Sequence, residues 1–125
     1  MRRAADTDTI NSLTRLESVM PRYMIIANYS AEGEKGLLAK GGSARRTAVS
    51  EMVEKLGGKV ETFDFAFGAD DVFVVVDLPD NVTAAAIGLA VGASGLTTVR
   101  TVVLLTPEEI DAAAQKHADY HGPGQ

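Results

Sequence analysis

Cysteine is missing from this chain, which excludes disulfides, thiolate nucleophiles, cysteine-ligated zinc and iron–sulfur clusters as sources of stability or chemistry. Long apolar runs are missing as well. No stretch approaches the roughly 18 apolar residues that span a bilayer, and Met1 to Val19 carries Arg2 and Arg3 without the apolar core of a signal peptide. Neither membrane insertion nor secretion is expected, and the cytoplasm is the expected location. Basic residues are in deficit: 12 lysines and arginines against 17 acidic residues give a net charge of −5. Arg2-Arg3 and Arg45-Arg46 are too sparse for a phosphate-binding stripe, so nucleic acid is not an expected partner. Nucleotide loops are also lacking. Gly41-Gly42 and Gly57-Gly58 have neither the strand-to-helix glycine fingerprint nor the phosphate-binding lysine, and no cofactor is expected. His117, Asp119 and His121 are the sole metal-like grouping, with the histidines on one face if the segment is helical. They adjoin Gly122-Pro123-Gly124-Gln125, where chains fray, so no metal site is expected.

What the chain does have is enough apolar content for one compact core, 46% of 125 residues, and too little length for two. Residues 1–19 place Ile10, Leu13 and Leu16 at helix-like spacing among polar residues and are read as an N-terminal extension, weakly structured or helical. If Met20 is the translation start they are upstream sequence, which mass spectrometry of the native N-terminus decides. The domain is placed at residues 20–118, with 119–125 a flexible tail.

Within the domain, the aromatic and β-branched run from Arg22 to Tyr29 reads as a strand ending in a turn at Ser30-Ala31-Glu32-Gly33. After Gly41-Gly42, Ser43 is placed as the cap of a helix whose apolar face carries Ala48, Val49, Met52, Val53 and Leu56, with Arg45 and Arg46 off that face. Gly57-Gly58 ends it. Phe63, Phe65 and Phe67 alternate along a second strand, Gly68-Ala69-Asp70-Asp71 is a hairpin turn, and Val72 to Leu78 is a strand expected to be buried on both faces. Alanine-rich Val82 to Ala93 reads as a helix and Thr97 to Leu105 as a fourth strand. Thr106-Pro107-Glu108-Glu109 supplies an N-cap, a proline at N1 and a capping-box glutamate for a last helix running to about Ala118. The order β-α-β-β-α-β is that of the ferredoxin-like plait, an α+β fold in which two helices cover one face of a four-stranded antiparallel sheet.

Two helices leave the other sheet face uncovered, and the strands do not make it polar. Phe73 and Val75 oppose Val72, Val74 and Val76, while Val102 and Leu104 oppose Val99, Val103 and Leu105. Self-association, face to face, is the expected remedy; the alternative is a last helix folded back over its own sheet.

Asn28-Tyr29-Ser30 with Gly33, Leu56-Gly57-Gly58-Lys59-Val60-Glu61, Gly68-Ala69-Asp70-Asp71, Asp77-Leu78-Pro79-Asp80, Val99-Arg100-Thr101 and Thr106-Pro107-Glu108-Glu109, in that order, resemble the GYD domain family over about Met20 to Ala114. The naming motif is glycine, any residue, tyrosine, aspartate. Gly68 and Asp71 match it, and Asp70 stands at the tyrosine position. The resemblance implies a likeness to the dimeric α/β-barrel group, whose ferredoxin-like subunits associate through their sheets, and it brings no reaction with it.

Candidate site residues follow from the polar groups. Asp71 is the candidate base or ligand anchor, against the plainer reading of Asp70 and Asp71 as turn-forming aspartates. Arg100, in an otherwise apolar strand, is an edge charge or the partner of Asp64 or Asp77, and an anion-binding role comes third. Tyr29 and Ser30, with Asn28, are placed as ligand-binding or as a helix cap. Two functions remain: a homo-oligomeric binding or assembly module holding a small molecule or partner between sheet and helices, or a small acid–base enzyme using Asp71 and Arg100.

Overall fold

A computed structural model describes residues 20–125, so the reading of residues 1–19 lies outside the described residues. Among these, the element order is β1 (Arg22–Tyr29), α1 (Ala31–Lys40), α2 (Gly42–Lys55), β2 (Lys59–Phe65), β3 (Val72–Asp77), α3 (Asn81–Ala93), β4 (Thr97–Leu104) and α4 (Pro107–Ala114). The strands make one antiparallel sheet ordered β2-β3-β1-β4. This is the ferredoxin-like plait, an α+β fold, with an additional helix between β1 and β2.

The period of two along the central strands builds the core. Tyr23, Ile25 and Ala27 of β1 and Val72, Val74 and Val76 of β3 turn to one side and meet Val53 of α2 and Ala84 and Ile87 of α3. Each large apolar side chain buried there contributes about 1.5–3 kcal/mol. The Tyr23 hydroxyl donates to Asn81 Oδ1 at the start of α3, and burial raises its pKa above the ordinary value. β3 itself is buried on this side only: Phe73 and Val75, facing away, are half-buried, because within one subunit no helix lies over them.

Several local readings change. A helix, α1, follows Ser30 where a turn was expected, and Ser30 takes the cap role that was one of its two expected readings: its Oγ accepts the Gly33 N–H at 3.2 Å and donates to the Leu96 carbonyl at 3.2 Å. Gly41, with φ 88°, separates α1 from α2 and caps the latter, so Ser43 lies inside α2. A Cβ on Gly33 would collide with the Leu96 carbonyl oxygen, the group that also accepts the Ser30 N–H at 2.9 Å. That glycine therefore marks close approach between α1 and the entrance to β4, not a break in the helix.

Asp80 caps α3 by accepting the Thr83 N–H at 2.8 Å. The capping box of α4 has the expected form, with Thr106 Oγ1 accepting the Glu109 N–H at 3.0 Å and Glu109 Oε1 accepting the Thr106 N–H at 2.8 Å. α4 ends at Ala114 and not near Ala118, and His117 has φ 50°, so His117 and His121 share no helical face. Every residue of α4 is exposed, which leaves the sheet uncovered on its outer side.

Candidate functional site

Two surfaces have the features of a site, one on each side of the sheet. On the helix side, a cleft of about 380 Å³ opens between α1, α2, the end of α3 and the start of β4. Below it a pocket of about 40 Å³ reaches Ile25, Val74 and Val99 in the core. Tyr29, Arg45, Met52, Val91 and Thr97 line both, so they stand where the cleft narrows. The upper wall includes Gly33, Gly36 and Leu37 of α1, and Glu32 and Lys40 are its other ionisable groups. Arg45 is half-buried, and its Nε is closed to water with no hydrogen-bond partner among the described residues.

On the outer side, register places Met24, Ile26 and Asn28 of β1 beside Phe73 and Val75 of β3 and Thr98, Arg100, Val102 and Leu104 of β4. The centre is apolar and each end is ionic. At one end Asp70 Oδ1 accepts from Asn28 Nδ2 at 2.9 Å and Asp70 Oδ2 from Arg100 Nη2 at 2.9 Å. The Asn28 hydrogen bond first, and then Arg100, hold the Asp70 carboxyl below its usual range. At the other end Arg22 Nε lies 2.9 Å from Glu61 Oε2 and 3.9 Å from Asp77 Oδ1. The pairing of β2 with β3 shifts register between Val60 and Thr62, and Glu61 is the residue inside the irregularity. Burial, with a hydrogen bond and charge repulsion from Glu61, pushes Asp77 up to about 6; the same hydrogen bond and Arg22 lower Glu61. The two carboxyls thus compete for one guanidinium, an arrangement that favours a proton on Asp77.

The sequence-derived candidates do not meet in one cavity. Asp71 is tied into the backbone: Oδ2 accepts the Tyr29 N–H at 3.0 Å, its own N–H donates to the Ala27 carbonyl at 3.0 Å, and its carbonyl accepts the Ala66 N–H at 2.8 Å. The Tyr29 side chain lines the helix-side cleft, whereas Arg100 lies on the outer face, 64% exposed. Ser30 acts as the α1 cap. Arg100 pairs with Asp70, whereas Asp64 and Asp77 had been its expected partners, because the β2–β3 turn carries Asp70 back over the end of β1.

Sequence reasoning missed Arg45, Glu61 and Asp77 as site residues. For Arg45 a signal existed: Val49 and Met52 follow it by four and seven residues, the spacing of one helix face. Among the described residues no group of three or more histidine, aspartate or glutamate side chains could hold a metal ion, and no helix is long and apolar enough to cross a membrane. Residues 23–114 match the family model of the GYD domain. Neither a curated protein nor a solved structure matches the chain.

Proposed function

This chain belongs to the GYD domain family, and from that premise we propose that it is a homo-oligomeric binding module. Copies associate through their outer sheet faces, and each holds a small molecule in the cleft between sheet and helices. The observation that carries the reading is the outer face itself: Met24, Phe73, Val75, Val102 and Leu104, partly or fully exposed around the buried Ile26, form its centre, and α4 does not cover them. At about 25 cal/mol per Å² of apolar area, covering such a face stabilises the assembly by many kcal/mol before association costs are met. A second copy fits it because each ionic end carries both signs of charge, Arg100 with Asp70 and Arg22 with Glu61 and Asp77. The separation of Asp71, Arg100 and Tyr29 favours binding over acid–base chemistry by that set, since a base and its cationic partner must reach one substrate. Light scattering on the column eluate at micromolar protein is expected to give a mass of at least twice 13.2 kDa. A single-subunit mass across the whole concentration range would overturn the proposal.

A further inference from the structure

We infer that the helix-side cleft takes a carboxylate with an apolar body, of the alkanoate or arylalkanoate class, and that Arg45 anchors its head group. The inference rests on the binding role just proposed for this cleft. Its walls are largely apolar, through Leu37, Ala48, Met52, Val91 and Leu96, and the volume of about 380 Å³ suits a small organic body. Into this surface Arg45 brings a guanidinium that cannot relieve its position by losing a proton. Its Nε donor is shut off from water and unpaired among the described residues. A buried donor on a charged group without an acceptor is costly, and few native proteins retain one without a reason.

A carboxylate meets a guanidinium with two parallel hydrogen bonds, and because Nε is closed to water, and so to a ligand oxygen, the two Nη nitrogens make them here. A second observation gives the body its direction: Arg45 lies where the open cleft meets the inner pocket of about 40 Å³, whose lining beyond it is Ile25, Val74, Ile87 and Val99. The head group therefore meets Arg45 where the cleft narrows, and the apolar body fills the space beside Met52 and Val91. A dianion fits less well. Glu32 is part of the lining, the whole chain is at −5, and the other cation of the lining, Lys40, belongs to the open cleft alone.

Gly36 provides an independent handle. It lines the cleft, and a Cβ added there meets nothing within 4 Å, so Gly36→Leu narrows the space without a backbone collision. The experiment is calorimetric titration of the full chain with 4-phenylbutyrate, 4-phenylbutanol, 4-phenylbutylamine and phenyl phosphate, with amide shifts in the ¹⁵N spectrum locating each. Phenylbutyrate is expected to bind about tenfold or more tighter than the alcohol, the worth of one charge-assisted hydrogen bond, and to shift the amides of Gly33 and Gly36. Arg45→Met should erase that preference, and its melting temperature, expected at or above the parent's because a buried unpaired donor is removed, shows that the variant is folded. Gly36→Leu should weaken both ligands. Equal binding of acid and alcohol, an Arg45→Met variant that keeps the preference, or phenyl phosphate binding best would overturn the carboxylate inference and leave the cleft a binding site. No binding by any of the four at millimolar concentration would remove the cleft's binding role, and the inference with it.

Discussion

The most unusual ionisable group described is Asp77, which lies beside Glu61 at one end of the outer face and has its pKa pushed up to about 6 from 3.8 by burial and by Glu61. The sign of its effect follows from proton counting. Between those values the folded protein holds a proton that the unfolded chain has released, so the stability it brings is complete below about pH 3.8 and is lost as the pH rises through about 6. Above that, two neighbouring carboxylates compete for Arg22, which lies 2.9 Å from Glu61 and 3.9 Å from Asp77. Lys59, also near both, only moderates the repulsion. Asp77→Asn keeps a donor toward Glu61 at every pH and removes the repulsion. It is expected to stabilise the protein by about 1 kcal/mol at pH 7.5, with the gain shrinking toward pH 4. Urea unfolding of both proteins at half-unit intervals checks this, and a pH-independent difference would show that Asp77 does not hold that proton. Neither aspartate nor glutamate had been singled out in the sequence as a pair, because they are brought together by the irregular pairing of β2 with β3, which no spacing of Glu61 and Asp77 along the chain reveals.

At the scale of elements, the strands were legible because their alternation depends only on neighbours in sequence, and the α4 start was legible because a capping box is written in four consecutive residues. α1 was not. Gly33 and Gly36 lower its intrinsic propensity by about 1 kcal/mol each, and none of its residues is buried, so no apolar stripe announces it. What holds α1 is the Ser30 cap and the fit of Gly33 against the Leu96 carbonyl. The same glycine type therefore has opposite consequences at two positions. Gly33→Ala is expected to destabilise by about 1–3 kcal/mol, the cost of overpacking against a fixed backbone. Gly92→Ala, in α3 with nothing within 4 Å of the added Cβ, is expected to stabilise by about 0.5–1 kcal/mol. Chemical denaturation of the two variants compares them directly, and an equally destabilised Gly92→Ala would mean that helix propensity is not what limits α3. The site was half-legible for a related reason. Tyr29 and Asp71 stood out as polar residues at strand ends and Arg100 as a charge within an apolar strand, but which sheet face each serves depends on tertiary partners, and Asp70, not Asp71, is the carboxylate that meets Arg100.

For the whole molecule, the deciding quantity is what the outer sheet face does in water. Val102 lies in edge strand β4 opposite Met24 and is 42% exposed, and on the helix side Leu38 of α1 is 86% exposed. Both positions are free enough in the single subunit that a glutamate keeps its charge hydrated, and surface changes of this kind alter folding by only about 0.5 kcal/mol. Association separates them. In a sheet-to-sheet assembly Val102→Glu buries an unpaired carboxylate in each copy, and uncompensated buried charge costs about 3–5 kcal/mol, enough to shift the dissociation constant by more than about a hundredfold. Leu38→Glu touches no part of that face and should assemble as the parent does. Because assembly stabilises only the folded state, the parent's melting temperature should also rise with protein concentration, and that of Val102→Glu should not. Sedimentation velocity over a hundredfold range of concentration reads the first effect and calorimetry the second. An assembly that ignores Val102→Glu but dissolves with Leu38→Glu would move the interface to the helix side, where it would close over the mouth of the cleft and could not leave Gly36 and Leu37 open to a ligand.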